Sequence, residues 1–420
     1  SMIKTLVLWL ILLSGFLIPY GNIATAQGPF FEEHIYATVG GTPLWLDFLP
    51  EFGNDPEPEP LIIFVHGGAW MNGNRQSVPG PILNLRAQGY SIATLDYRLT
   101  TQAGQFGSEP VIWPAQRDDA KAAIRWLRAH AADLNVDPNA FVIWGTSAGG
   151  HIAASVALTN DAPGTTGLIG DWTDVSSAVQ LGVNYYGPSD ILRLDQDVTT
   201  PPGSTLNHEA AGSPESLLLG FAQTGLSMGE ILAHENDDSA PWFDLVSLAH
   251  DASPLFAVTP PHAAPIFIAH GTLDTVIAFQ QGEKLHTELV SLGLSSTWHP
   301  VPGAGHGMPP SVFEETGAWI MEQWSDAEFI RGDANMDIQK DIADVVSILN
   351  TLFPRTGSGT EPSCSNSQDV NDDDTLDISD PVFLLTWLFG GAQQIPQPTQ
   401  SCGSDPTSGF LDCETYNACP

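Results

Sequence analysis

A serine at Ser147 sits in Gly145-Thr146-Ser147-Ala148-Gly149, directly after the apolar run Phe141–Trp144 and before the alanine-rich segment His151–Leu158. This is a G-x-S-x-G pattern in strand, turn and helix context, the setting in which such a serine acts as a nucleophile. The glycines have a steric reason. The turn is so tight that a side chain on either flank would meet neighbouring backbone, and small residues at Ala148 and Gly150 leave room for a substrate carbonyl to approach the turn's amides. A serine hydroxyl is a weak nucleophile at neutral pH, so it needs a base, and the base needs an acid that fixes its tautomer. In the chain order Ser, acid, His, Asp274 follows the apolar run Ile266–Gly271 and His306 follows the run 297–301. Asp244 and Asp251 lack a preceding strand, and His270, His286 and His299 fall within strand or helix patterns, which gives them structural or solvent-facing roles. The expected triad is Ser147, Asp274 and His306.

The developing oxyanion needs backbone donors. His66-Gly67-Gly68-Ala69-Trp70 follows the apolar run Leu61–Val65, so the amides of Gly67, Gly68 and Ala148 are the expected oxyanion hole, with His66 a hydrogen-bonding support of that loop. Positioning these groups requires short buried strands interleaved with amphipathic helices, hence an α/β fold with a mostly parallel sheet. Buried strands are expected at 61–65, 91–96, 141–145, 179–185, 266–271 and 297–301. A helix is expected over 114–132, with Ile124, Leu127 and Ala131 inward and Arg125 and Arg128 outward. Residues 195–262 break the alternation and read as an insertion over one end of the sheet.

A second chemistry repeats near the C-terminus. Asp333, Asn335, Asp337, Asp341 and Asp344 fall at positions 1, 3, 5, 9 and 12 of a loop, and Asp369, Asn371, Asp373, Asp377 and Asp380 fall at the same positions of another. Gln339 and Thr375 stand where a backbone carbonyl is donated. This is oxygen-ligand spacing for calcium, and each loop runs into an apolar helix, 342–353 and 381–389. Position 6, where a sharp turn favours glycine, holds Ile338 in the first copy and Asp374 in the second. A β-branched residue tolerates positive φ badly, which favours the second loop.

The 420 residues carry 13 Lys+Arg against 49 Asp+Glu, a formal charge of −36. Such a surface repels phosphate backbones and anionic lipid, which argues against nucleic-acid and membrane-surface roles. A hydrophobic fraction of 42% with 12 Trp and 19 Phe supports a large buried core. Lys4, the apolar run 6–18 and Ala24-Thr25-Ala26 read as a secretory signal over residues 1–26, so the chain is expected to be exported. All four cysteines, Cys364, Cys402, Cys413 and Cys419, lie in the last 57 residues. In an exported protein they suggest a stapled tail with three possible pairings, and zinc is the weaker reading. Charge density rises after 325. The expected organisation is a signal at 1–26, a catalytic domain at 27–325, a calcium-binding module at 326–391 and a cysteine-containing tail at 392–420.

The segments 66–70, 95–99, 114–130, 145–150, 186–190 and 213–216, with His270–Asp274 and His306, together resemble α/β-hydrolases of the hormone-sensitive-lipase type. Within that type they look most like the bifunctional feruloyl and acetyl-xylan esterase branch. Ala69 departs from the third glycine that many relatives carry. The resemblance spans about 35–325 and implies an α/β-hydrolase fold and two-step ester hydrolysis without a catalytic cofactor, with Trp70, Tyr185 and Tyr186 lining the substrate pocket. Segment 327–391 resembles a type I dockerin, and the cysteine-rich end resembles tails of large secreted proteins of planctomycete type. That resemblance implies a small all-α module holding Ca²⁺ and a cohesin-like partner. Its Ile342-Ala343 and Ile378-Ser379 pairs are less polar than the Ser/Thr pairs of cellulosomal dockerins. The expected function is a secreted carboxylesterase that removes acetyl or feruloyl groups from polysaccharides or small esters. A lipase or arylformamidase is the alternative within enzymes, and a non-catalytic adhesion or scaffold protein the alternative outside them.

Overall fold

A computed structural model of the chain describes residues 31–53, 58–107, 109–198, 204–324, 329–353, 364–373, 375–391 and 394–403, with Cys413, Tyr416, Ala418 and Cys419. The expected signal at 1–26 and Asp374 lie outside the described residues.

The uninterrupted apolar run of residues 61–65 forms the core of a strand buried on both faces. Leu61, Ile63 and Val65 enter one hydrophobic cluster, while Ile62 and Phe64 enter a second on the opposite side. Phe141 and Ile143 divide from Val142 and Trp144 in the same way. Alternate residues point to opposite faces, so a strand with helices above and below has no polar side to show. The eight strands are β1 (Glu32–Val39), β2 (Thr42–Leu49), β3 (Glu59–Val65), β4 (Ser91–Leu95), β5 (Val136–Thr146), β6 (Leu181–Tyr185), β7 (Ile266–Gly271) and β8 (Ser296–Val301). They form one sheet in the order β1-β2-β4-β3-β5-β6-β7-β8. From β4 to β8 all pairings are parallel, and only β2 pairs antiparallel with its neighbours.

The chain leaves β3 toward β4 on one side and returns to place β5 on the other. Strand order therefore reverses between β3 and β5, and in open α/β sheets ligands gather beyond the carboxyl ends of the strands at that point. Val65 pairs with Gly145 across this junction, so the loop after β3 and the turn after β5 emerge side by side.

The six expected strands are present, with β5 extended backward to Val136. The antiparallel β1–β2 hairpin is an addition at the sheet edge. Its turn is Gly40-Gly41, with φ of 57° and 83°, a two-residue hairpin signal in itself. The expected helix runs Ala115–Ala129, but its arginines do not face solvent. Arg125 is buried and donates to the carbonyls of Thr166 and Ile169, and Arg128 donates to those of Pro138, Ser176 and Ala178. A carbonyl-rich loop covers that face, and a guanidinium satisfies several such acceptors at once.

The stretch 195–262 contains short helices at Pro214–Leu218, Met228–Ala233, Trp242–Asp251 and Pro254–Ala257. It is tied to the loop after β7: the Thr205 amide donates to Thr275 O (2.6 Å), and His208 Nε2 lies 2.8 Å from Val276 O. Toward the C-terminus, helices Ile342–Leu352 and Ser379–Gly390 share a small core of Val345, Ile348, Val370, Leu384 and Ile395. Disulfides join Cys364 to Cys413 and Cys402 to Cys419, selecting one of the three pairings open to the sequence. No helix of the described residues is long and apolar enough to cross a membrane.

Candidate active site

Ser147 sits at φ 56°, ψ −122°, the strained backbone of a sharp strand-to-helix turn. The turn closes only with glycine at its flanks. A Cβ at Gly145 would overlap the carbonyl of Gly149, and one at Gly149 would overlap the carbonyl of Val65. The Ser147 amide donates to Tyr185 O (2.9 Å), which pins the elbow to β6. Helix Ala148–Thr159 starts here, so its first amides have no carbonyl one turn back to bond.

Asp274 and His306, at the ends of β7 and β8, meet this serine. Ser147 Oγ lies 2.9 Å from His306 Nε2, and His306 Nδ1 lies 2.8 Å from Asp274 Oδ2. A nitrogen facing a carboxylate carries the proton, so Nδ1–H donates to Asp274 and Nε2 is left to accept from the serine hydroxyl. Asp274 Oδ1 accepts the amides of Val276 (2.8 Å) and Ile277 (3.0 Å). Burial by itself would push the Asp274 carboxyl up, but hydrogen bonds from His270 and His306 overcome it and hold the group well below the usual carboxylate range. The acid is thus buried and ionised, the state in which it orients an imidazole.

The loop after β3 lies against the elbow: a Cβ on Gly67 would stand 2.8 Å from Thr146 O and 3.3 Å from the Ser147 Cβ. Gly68 has φ 123°, and Ala69 and Trp70 follow at 54° and 56°. Ala69 therefore carries, with a Cβ, the left-handed backbone that a glycine would enter freely. Among the described residues the amides of Gly67 and Gly68 donate to no internal acceptor, and Gly67 packs against Ser147. His66 is buried and stacks on Tyr97 at 4.3 Å, with its Nδ1 2.7 Å from Gly67 O. Burial pushes its pKa down, which keeps it neutral.

Of the three aromatics expected in the pocket, only Tyr186 stands at the site. Its ring centroid is 4.7 Å from that of His306. Trp70 and Tyr185 belong to the core instead. The Trp70 indole N–H donates to buried His151 Nδ1 (3.2 Å), and the Tyr185 hydroxyl bonds Val312 O and Thr316 Oγ1. β6 ends at Tyr185, and the positive φ of 44° at Tyr186 turns the chain so that its ring reaches His306 while remaining 6.3 Å from that of Tyr185. Beside His306 opens a cleft of about 540 Å³ lined by Val301, Pro302, Gly303, Ala304, Gly305, Gly307 and Pro309.

The acidic repeats fold as matched loops. Met336 and Asp372, both at position 4, have φ of 63° and 62°, and Ile338 at position 6 has φ 69°. Asp333 accepts the amides of Asp337 and Ile338, Asp337 accepts that of Gln339, and Asp344 accepts those of Asn335 and Asp341. Asp341 caps its helix at Ala343 N. In the second loop Asp369 accepts the amide of Asp373, Asp373 that of Thr375, Asp380 those of Asn371 and Asp377, and Asp377 that of Ser379. The side chains are occupied by their own backbone. Among the described residues no group of three or more His, Cys, Asp or Glu is arranged to hold a metal ion, so the calcium expectation rests on spacing and not on a preformed cage.

Comparison with known proteins places the chain. A family model described as BD-FAE matches residues 48–289. Esterase LipC of Mycobacterium tuberculosis is 29% identical over 253 residues, covering 60% of this chain and 53% of the relative. The probable carboxylic ester hydrolase LipM of the same organism is 28% identical over 231 residues, 55% of this chain and 44% of the relative. The chain thus spans about half the length of these curated relatives. Among solved structures, a truncated carbohydrate esterase from gut microbiota superposes with a TM-score of 0.55 at 26% identity, covering 70% of this chain and 96% of that one. With the α/β-hydrolase sheet order, the serine elbow and the family match in agreement, the chain belongs to the BD-FAE family of α/β-hydrolase esterases.

Proposed function

We propose that the protein is a serine carboxylesterase that removes short acyl groups, acetyl or feruloyl, from polysaccharides or related small esters. The observation that carries this reading is the continuous relay from Ser147 Oγ through His306 to Asp274, with contacts of 2.9 and 2.8 Å. In the first step Ser147 Oγ attacks the ester carbonyl carbon as His306 Nε2 takes the hydroxyl proton. Negative charge collects on the carbonyl oxygen, where the amides of Gly67, Gly68 and Ala148 donate. Collapse breaks the bond to the alcohol oxygen, which leaves with the proton from His306. Water then repeats the sequence on the acyl-serine and releases the acid. Asp274 stays ionised throughout and holds the imidazole in one tautomer. The likeness to a carbohydrate esterase supports a sugar-borne ester.

Export is supported by the apolar N-terminal segment and by two disulfides, which persist in oxidising compartments. Calcium in the tail is supported by the duplicated oxygen-ligand spacing. A cohesin-like protein partner is supported by a repeated apolar stripe: exposed Ile342, Val346 and Phe353 recur in the same register as exposed Ile378, Val382 and Phe389.

The test is turnover of nitrophenyl esters of increasing chain length, with acetylated and feruloylated xylan, by wild type and Ser147→Ala. Activity that falls with chain length, includes xylan and drops about 10⁴-fold or more in the variant is expected. Preference for long acyl chains or for an N-formyl arene would replace this reading by a lipase or an arylformamidase. No turnover by folded wild type would leave an adhesion or scaffold protein.

A further inference from the structure

We propose that His270 is a positioning residue of this reaction, holding the Asp274 carboxylate at the same oxygen that faces the catalytic imidazole; the inference rests on the ester-hydrolase reading above. His270 is the penultimate residue of β7 and is fully buried. Its Nε2 lies 3.3 Å from Asp274 Oδ2, the same oxygen that receives His306 Nδ1–H, and 3.1 Å from Ile277 O. Both neighbours are acceptors, so Nε2 carries the ring proton and shares it between the acid and the loop that follows the acid.

The other ring nitrogen is costly. His270 Nδ1 is buried and has no hydrogen-bond partner among the described residues. An unsatisfied buried polar atom costs on the order of 1–3 kcal/mol, and a side chain needed only to fill this space would be apolar. The ring is closely packed. Gly282 backs it so closely that a Cβ there would lie 3.1 Å from Nδ1, and Phe279 stands edge-on at 6.1 Å. The fold thus clamps an imidazole with one nitrogen wasted and the other on Asp274.

The consequence for catalysis lies in the shared oxygen. When His306 takes the serine proton it becomes an imidazolium, which only an ionised, correctly aimed Asp274 stabilises. His270 contributes to both conditions, since its donated proton favours the carboxylate over the acid. The other groups facing the carboxylate are His306, Tyr186 at the end of β6, and the amides of Val276 and Ile277; His208 reaches the same loop at Val276 O.

The experiment compares wild type with His270→Phe, which keeps the volume without a donor, His270→Gln, whose amide can reach Asp274, and His270→Asn, smaller and too short to reach. Steady-state turnover of a short nitrophenyl ester is followed across pH, with thermal unfolding as the folding control. In the Phe or Asn variant kcat is expected to fall about 10- to 100-fold, the range met for outer partners of metal ligands, with KM unchanged. The acid limb of the profile moves to higher pH, because the Asp274 oxygen facing the catalytic imidazole then holds its charge unshared, and Gln restores most of the rate. A folded Phe or Asn variant with wild-type kcat and an unmoved acid limb overturns the proposal. Wild type without turnover overturns the esterase reading instead. The low-field Nδ1–H proton resonance of His306 still tests His270 in that case: a changed position in the Asn variant supports its role and an identical one overturns it.

Discussion

The ring of Tyr186 stands 4.7 Å from that of His306 at an interplanar angle of 62°, edge against face. Tyr186 follows β6 with φ 44°, and its amide donates to Ala269 O (2.8 Å). Burial pushes the phenol up to about 12, so it is neutral throughout the working range. Tyr186 thus bears on the ring of the base. Aromatic pairs of this geometry contribute about 0.5–1.5 kcal/mol. Tyr186→Ala is expected to lower kcat/KM on short esters by roughly 3- to 10-fold, with Tyr186→Phe much closer to wild type.

Gly149 offers a test of the elbow that leaves the triad residues untouched. An added methyl would collide with the Val65 carbonyl, which belongs to a fully buried central strand and cannot retreat. Gly149→Ala is expected to destabilise the fold by about 2 kcal/mol or more and to cut activity beyond the loss of folded protein. Thermal unfolding set beside active-site titration separates the two effects.

His208 ties residues 204–218 to the acid loop. Its Nδ1 lies 2.9 Å from Glu215 Oε1 and its Nε2 2.8 Å from Val276 O, so both nitrogens face acceptors. Burial pushes its pKa down, but the hydrogen bond and charge of Glu215 outweigh this and leave it raised above 6.5. A raised histidine gives stability that is complete below its unfolded value and lost as pH climbs through the folded one. The melting temperature of wild type is therefore expected to fall from about pH 6 to pH 9 more steeply than that of His208→Asn. Equal slopes would mean that this pair is not ionised.

The tail should respond to reductant and to calcium while ester turnover does not. Cys364–Cys413 closes a loop of 49 residues, and removing such a cross-link typically costs about 2–5 kcal/mol. Reduction is expected to abolish the cooperative melting of residues 329–419 and to leave nitrophenyl ester hydrolysis unchanged. Calcium titration by calorimetry is expected to show binding that Asp369→Ala together with Asp380→Ala weakens more than Asp333→Ala with Asp344→Ala. Absence of heat and of any melting shift would sink the calcium reading.

Much of the catalytic arrangement can be read along the chain because each participant follows a short apolar strand. Glycines around Ser147, a Gly-Gly pair after Val65, and polar residues just past Gly271 and Val301 are local signals, and parallel strands deliver them to one edge. The β1–β2 hairpin escaped that logic, since an edge strand with one solvated face lacks the continuous apolar run; only Gly40-Gly41 marks it. Arg125 and Arg128 depart from the helical pattern for a related reason: a helical period says which face is apolar, not whether a carbonyl-rich loop will cover the polar one.

The residue types alone determined that a serine, an acid and a histidine stand ready in chain order, that the sheet is largely parallel, and that the acidic tail repeats itself. Tertiary structure decided what depends on distance between remote segments. It gave Tyr186 and Tyr185 different partners, because the backbone turns at Tyr186 with φ 44° just past the strand end, and it sent Trp70 into the core beside His151. It also placed His270 beneath Asp274, a contact with no sequence signature beyond an i, i+4 spacing. The physical reason is the same in each case. Backbone preference and apolar pattern are local, whereas which polar atom loses its water, and which partner compensates, is set only when the elements pack.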